Sequence, residues 1–81
     1  MPRETVFICQ PYVRGARASL KAEQPIPYKV AEQALLRAQR MMASGHFVGV
    51  DVVRQTADPE IGDYDEPVFL ERLGSVPMAA D

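Results

Sequence analysis

Residues 29–44 read KVAEQALLRAQRMMAS, and the helix they predict decides the fold. Ala31, Ala34, Leu35, Ala38, Met41 and Met42 recur at the three- and four-residue spacing that gathers side chains on one helical face. Lys29, Glu32, Gln33, Arg37, Gln39 and Arg40 fall mostly elsewhere. At about 1.5 Å per residue the stretch predicts a helix of roughly 24 Å. Gly45 stands where a left-handed residue closes the last turn. No Ser, Thr, Asp or Asn lies between Pro25 and Lys29, so the first amides have no side-chain cap.

Working outward from the helix, the flanking segments read as strands. Towards the amino terminus, TVFICQPYV (residues 5–13) is β-branched and aromatic without helical period. Val6, Ile8 and Tyr12 fall on one alternating set, and Phe7, Cys9 and Val13 on the other, so neither face of this strand is fully wet. Pro11 cannot donate to a ladder and places its part of the strand at an edge, a bulge or an end. Arg14–Arg17 reads as a turn and ASLKAE (18–23) as a second strand. Pro25 and Pro27 hold the next segment extended. Beyond the helix, HFVGVDVVR (46–54) and PVFLERL (67–73) read as two more strands. The expectation is a small ββαββ domain of the α+β class, with a mostly antiparallel sheet and one helix packed on one face. One domain spans 1–81, its ordered core covering about 4–77, with a loose tail beyond.

Between the last two strands lies DPEIGDYDEP (58–67), with carboxylates at Asp58, Glu60, Asp63, Asp65 and Glu66. A calcium loop counted from Asp58 needs glycine at its sixth position and glutamate at its twelfth; the chain has Asp63 and Phe69 there. A four-residue hairpin loop fits better. Pro59 pre-sets the first dihedral, Asp58 accepts backbone amides, and Gly62 takes the left-handed exit. That loop sets Asp58 opposite Asp63, Thr56 opposite Asp65 and Gln55 opposite Glu66. Continued regularly, it sets Val50 opposite Glu71 and Asp51 opposite Leu70, so neither face is clean; a bulge or a diagonal Asp51–Arg72 pair would repair it.

Composition narrows the function. The chain of 81 residues is 47% apolar and 25% charged, as in ordinary globular proteins. At this length only roughly 60 to 65% of the unfolded surface is buried, leaving little room for an internal substrate cavity. No apolar run reaches the roughly 18 residues of a membrane span, and no secretory leader is visible, so a cytoplasmic protein is expected. One cysteine, Cys9, excludes an internal disulfide and a cysteine zinc cage. The net charge of −2 divides unevenly: residues 1–45 carry seven Lys/Arg against three Asp/Glu, and residues 46–81 carry two against eight. Packing of the halves on each other predicts internal charge complementarity; the alternative is a basic face for an acidic partner.

Catalytic constellations are not found. The only histidine, His46, reads as a helix-end residue favoured by the negative dipole end, and Cys9 as a small buried apolar residue. The glycines are too scattered for a phosphate cradle, and Met41 and Met42 fit core packing. The expectation is no enzyme, no catalytic residue, no metal and no cofactor.

QPY (10–12), EQALLRAQR (32–40), RQTADPEIGDYDEPVFL (54–70) and GSVP (74–77) together resemble a group of small uncharacterised bacterial proteins. In that group a QPF-like start, an Ala/Arg-rich helix and a DPE-x-G-x-YD-x-P-V segment recur. Gln55 and Ala57 depart from the pattern. The resemblance implies a folded module and brings no catalytic residue with it.

Two functional readings follow. In the first, one helix covers one sheet face while Phe7, Cys9, Phe47, Val53 and Leu70 place apolar side chains on the other, which meets a protein partner or a second copy. In the second, Arg14, Arg17, Lys21, Arg37 and Arg40 bind nucleic acid, with Tyr12 and Tyr28 to stack on bases. The pI near 5.3 tells against the second.

Overall fold

A β-branched run on either side of the helix supplies a long central strand. β1 (Glu4–Arg14) and β4 (Gly49–Asp58) pair antiparallel from Glu4 opposite Ala57 to Tyr12 opposite Gly49. The structure is a computed structural model and describes residues 3–77. The expectation of a loose tail beyond residue 77 therefore lies outside the described residues.

Each side of this central pair carries one broken lane. On the β1 side, β2 (Leu20–Ala22) pairs with Tyr12–Arg14 and β3 (Ile26–Tyr28) with Phe7–Cys9. On the β4 side, β5 (Asp63–Tyr64) pairs with Ala57 and Asp58, and β6 (Val68–Gly74) with Gly49–Arg54. The result is an α+β domain with one helix on a mostly antiparallel sheet, in which the second and fourth strands of the expected ββαββ order are each interrupted.

Pro11 accounts for the first interruption. A strand residue's N–H and C=O point to the same side, and the Pro11 carbonyl accepts from the Glu23 amide at 2.9 Å, on the β2–β3 side. Its missing donor therefore falls where that lane breaks, and proline is tolerated inside a central strand. Gln10 secures the break: its Nε2 donates to the carbonyls of Pro11 at 3.0 Å and Glu23 at 2.6 Å. Between β1 and β2 the chain turns through a single 3-10 turn, Ala16–Ala18, where Arg17 and Ala18 take φ of 57° and 63°.

The helix α1 (Ala31–Ser44) ends at Gly45 with φ 82°, whose amide returns to the Met42 carbonyl. At its start Val30 provides no side-chain cap, and Glu32 in the first turn faces the positive dipole end. Ala34, Ala38 and Met41 are buried against Cys9, Val50 and Val52, with Phe7, Ile26, Tyr28 and Leu73 around them. The small alanines allow close approach of helix and sheet, and Met41 Sδ lies 3.7 Å from Cys9 Sγ.

The acidic stretch is the expected turn. Asp58 Oδ1 accepts from the Glu60 amide at 3.2 Å, the Ile61 amide returns to the Asp58 carbonyl at 3.3 Å, and Gly62 has φ 69°. Asp58 stands opposite Asp63, and the Asp65 amide still donates to Thr56. From there the regular register does not continue. The chain slips one residue before Val68 meets Arg54, and a bulge between Val52 and Val53 absorbs one more at Leu70. Val50 then faces Leu73 and Asp51 faces Arg72 directly, so both faces become consistent.

Candidate functional site

Strand alternation assigns the two sheet faces. The Phe7, Cys9 and Pro11 set of β1 lies under α1 with Val50 and Val52 of β4. The alternate set, Val6, Ile8, Gln10 and Tyr12, points to the opposite face, joined by Val53, Asp51 and Gln55 of β4 and by Phe69 and Arg72 of β6. Among the described residues no helix covers this second face.

A polar network occupies its centre. Asp51, 1% exposed, takes two hydrogen bonds from Arg72, Nε to Oδ1 at 2.8 Å and Nη2 to Oδ2 at 3.1 Å, and a third from the Tyr12 hydroxyl at 3.2 Å. A buried carboxylate is tolerable when its lone pairs are filled in this way. The Asp51 carboxylate holds the Arg72 guanidinium more firmly protonated than usual. Desolvation, reinforced by the Asp51 charge, pushes the Tyr12 phenol above its ordinary pKa. Arg72 lies 4.3 Å over the Phe69 ring and also donates to the Pro77 carbonyl. The chain after β6 thus folds back on this face over Gly49, where any side chain would run into the Ser75 carbonyl. Val6, Ile8, Val53 and Phe69 form the open apolar part, and Phe69 is 44% exposed.

This arrangement corrects the expected interface. Cys9 is fully buried beneath the helix, and Phe7, Phe47 and Leu70 pack against the same core. Only Val53 of the five lies on the open face. The first strand carries apolar residues in both alternating sets, so its sequence does not say which set the helix takes.

The expected basic residues do not form one cluster either. Arg14 donates to the Ala18 carbonyl at 3.1 Å and so belongs to the turn. Arg17 sits in that turn with a left-handed backbone, and Lys21 stands opposite Val13 at the sheet edge. Arg37 and Arg40 are together on the exposed side of α1, between two shallow clefts. One, of about 250 Å³, is bounded by Met41, Ser44, His46 and Phe47; the other, of about 270 Å³, by Tyr28, Gln33 and Leu36. Neither arginine has an ion-pair partner among the described residues.

The remaining candidates for chemistry stay apart. Burial pushes the Cys9 thiol up, away from the reactive thiolate form. His46 stands at the surface with its ring edge-on to Phe47. Among the described residues no three His, Cys, Asp or Glu side chains gather as a metal site, and no helix is long and apolar enough to cross a membrane.

Several of the sequence motifs singled out above have structural employment. Gln10 secures the strand break, Tyr12 supports Asp51, DPEIG makes the turn, and the GSVP segment closes over Gly49. Comparisons with protein-family models, curated proteins and solved structures return no match. The fold defines a small α+β domain whose helix covers one sheet face.

Proposed function

We propose that this chain is a non-enzymatic protein-interaction module that works through the open face of its sheet, with a second copy of itself as the first partner. The observation that carries the reading is the asymmetry of cover. One helix occupies one face, while Val6, Ile8, Val53 and Phe69 lie together on the other, beside a polar network whose hydrogen bonds are already made. A contiguous apolar patch rimmed by polar groups is the usual form of a protein-binding surface. Because Asp51 and Arg72 satisfy each other, docking on this face leaves no buried charge unpaired. Sedimentation velocity over a wide concentration range tests it. Association that Ile8→Lys with Phe69→Ser abolishes, in a protein that keeps its circular dichroism, is the expected result. A wild-type chain that stays monomeric at high concentration would remove the self-association form.

The second reading, nucleic-acid binding, keeps support only at Arg37 and Arg40, which stand beside Tyr28 and have no ion pair among the described residues. Anisotropy of labelled single-stranded RNA that stays flat at low salt, where phosphate attraction is strongest, would end it.

A further inference from the structure

Among the described residues, Arg3 alone forms an ion pair between the two unevenly charged halves of the chain. Among the described residues the ion pairs are Arg3 with Asp63 and Asp65, and Arg72 with Asp51. Arg37 and Arg40 on the helix, and Glu60 and Glu66 at the acidic hairpin, have none. The hairpin also exposes two large apolar side chains among its carboxylates, Ile61 at 73% and Tyr64 at 65%.

We propose that the acidic hairpin of one copy docks on the Arg37–Arg40 ridge of a second copy, with Ile61 and Tyr64 entering the two clefts beside it. Three observations carry this. Arg37 and Arg40 are three residues apart on one helix, hence about 5 to 6 Å between their Cβ atoms, a spacing suited to adjacent carboxylates. The clefts of about 250 and 270 Å³ fall below the roughly 300 to 1,000 Å³ of small-molecule pockets, so each has room for a side chain and not for a whole ligand. Their apolar walls, Leu36 in one and Phe47 in the other, fit anchors of the Ile and Tyr kind.

The hairpin cannot serve its own helix end. It leaves the sheet beyond the pairing of Glu4 with Ala57, whereas Phe47 and the helix end adjoin the other end of that ladder, where Val48 bonds to Tyr12. Arg3 holds the hairpin there, with Nη1 3.1 Å from Asp63. At the Phe47 cleft the complement therefore comes from another molecule. The contact joins different patches of the two copies, so it either closes reciprocally as a dimer or continues as a chain.

The proposal rests on self-association but uses a different surface from the open sheet face, and one experiment separates them. Sedimentation velocity is run on the full chain at about 0.1 M and about 1 M sodium chloride, between which the screening length falls from about 10 to about 3 Å. The same runs are made on Arg37→Glu with Arg40→Glu, on Glu60→Lys with Glu66→Lys, and on the two variants mixed. Expected are a salt-sensitive association step at least about tenfold weaker in high salt, loss of that step in each variant alone, and its return in the mixture. An Ile61→Ser, Tyr64→Ser chain, which leaves every charge in place, is expected to lose that step too.

Association that persists in high salt and in both charge variants, but is lost in Ile8→Lys with Phe69→Ser, overturns hairpin docking and leaves the open-face reading standing. A wild-type chain monomeric at low salt overturns both. Monomeric wild type that binds single-stranded RNA through Arg37 and Arg40 assigns the ridge to nucleic acid instead.

Discussion

Arg72 stands directly across the β4–β6 ladder from Asp51 and donates to both oxygens of its carboxylate. The pairing depends on the bulge at Leu70, without which the register that sets Val53 against Phe69 would set Asp51 against Glu71. Removing one member leaves an uncompensated buried charge, whereas removing both leaves an apolar site. Arg72→Met is therefore expected to cost about 3 kcal/mol. Adding Asp51→Leu should restore most of it. Urea denaturation of the two variants checks this; equal losses in both would show that the pair does not act as a unit.

The same network makes stability depend on alkaline pH. The Tyr12 phenol titrates above its ordinary value of about 10 in the folded chain, so its contribution is fully present below about pH 10. It is lost as pH rises through the folded value, because the unfolded chain gives up the proton first. Tyr12→Phe should cost about 1 kcal/mol at neutral pH and make the alkaline decline shallower. Denaturation midpoints measured from pH 8 to 11, a window of about one to two units around the free phenol value, read both effects.

Cys9 is fully buried and pushed towards its neutral thiol, 3.7 Å from Met41 Sδ. Its reaction with an aromatic disulfide reagent should follow global unfolding and accelerate with urea in step with the unfolded fraction. Rapid labelling of the native protein would show that the helix lifts from the sheet locally. Cys9→Ser places a hydroxyl in that apolar setting and is expected to cost about 1 to 3 kcal/mol.

Two glycines test two different constraints. At Gly45 a methyl group meets open space, so Gly45→Ala should cost only the strain of φ 82°, about 1 kcal/mol. At Gly49 a methyl group meets the Ser75 backbone, so Gly49→Ala should displace the 75–77 segment. Faster exchange of the Ser75 amide, which donates to the Val48 carbonyl at 2.8 Å, reports that displacement. Unchanged exchange in Gly49→Ala would contradict it.

Ala18 holds φ 63° without being glycine, a conformation costing an L-residue about 1 to 2 kcal/mol. Ala18→Gly relieves it at the expense of a freer unfolded chain. A net gain of about 0.5 to 1 kcal/mol is expected in denaturant titration.

The parts of the fold legible in the sequence are those fixed by local chemistry. Ala34, Ala38 and Met41 announce their face by spacing, Gly45 announces the helix end, and Asp58, Pro59 and Gly62 together specify one turn. What stayed hidden depends on partners distant in the chain. Ile26–Tyr28 carries a proline in the middle and reads as a connector, yet an edge position tolerates Pro27. The slips at Glu66–Pro67 and at Leu70 have no local signal, since what selects them is the meeting of Asp51 with Arg72. The candidate site suffered most. With apolar residues in both sets of the first strand, only the docked helix decides that Phe7 and Cys9 go under it and Val6 and Ile8 stay out.

The central pairing of β1 with β4 sets the order in which the chain can assemble. It joins residues 4–12 to residues 49–57, so the hydrogen-bonded spine of the sheet cannot zip up from any local hairpin. The two flanking hairpins and the helix can each flicker into shape alone within microseconds, but none has a wall to lean on until the distant ends meet. The rate of folding is then governed by one loop closure across the helix, and the barrier belongs to topology more than to any side chain.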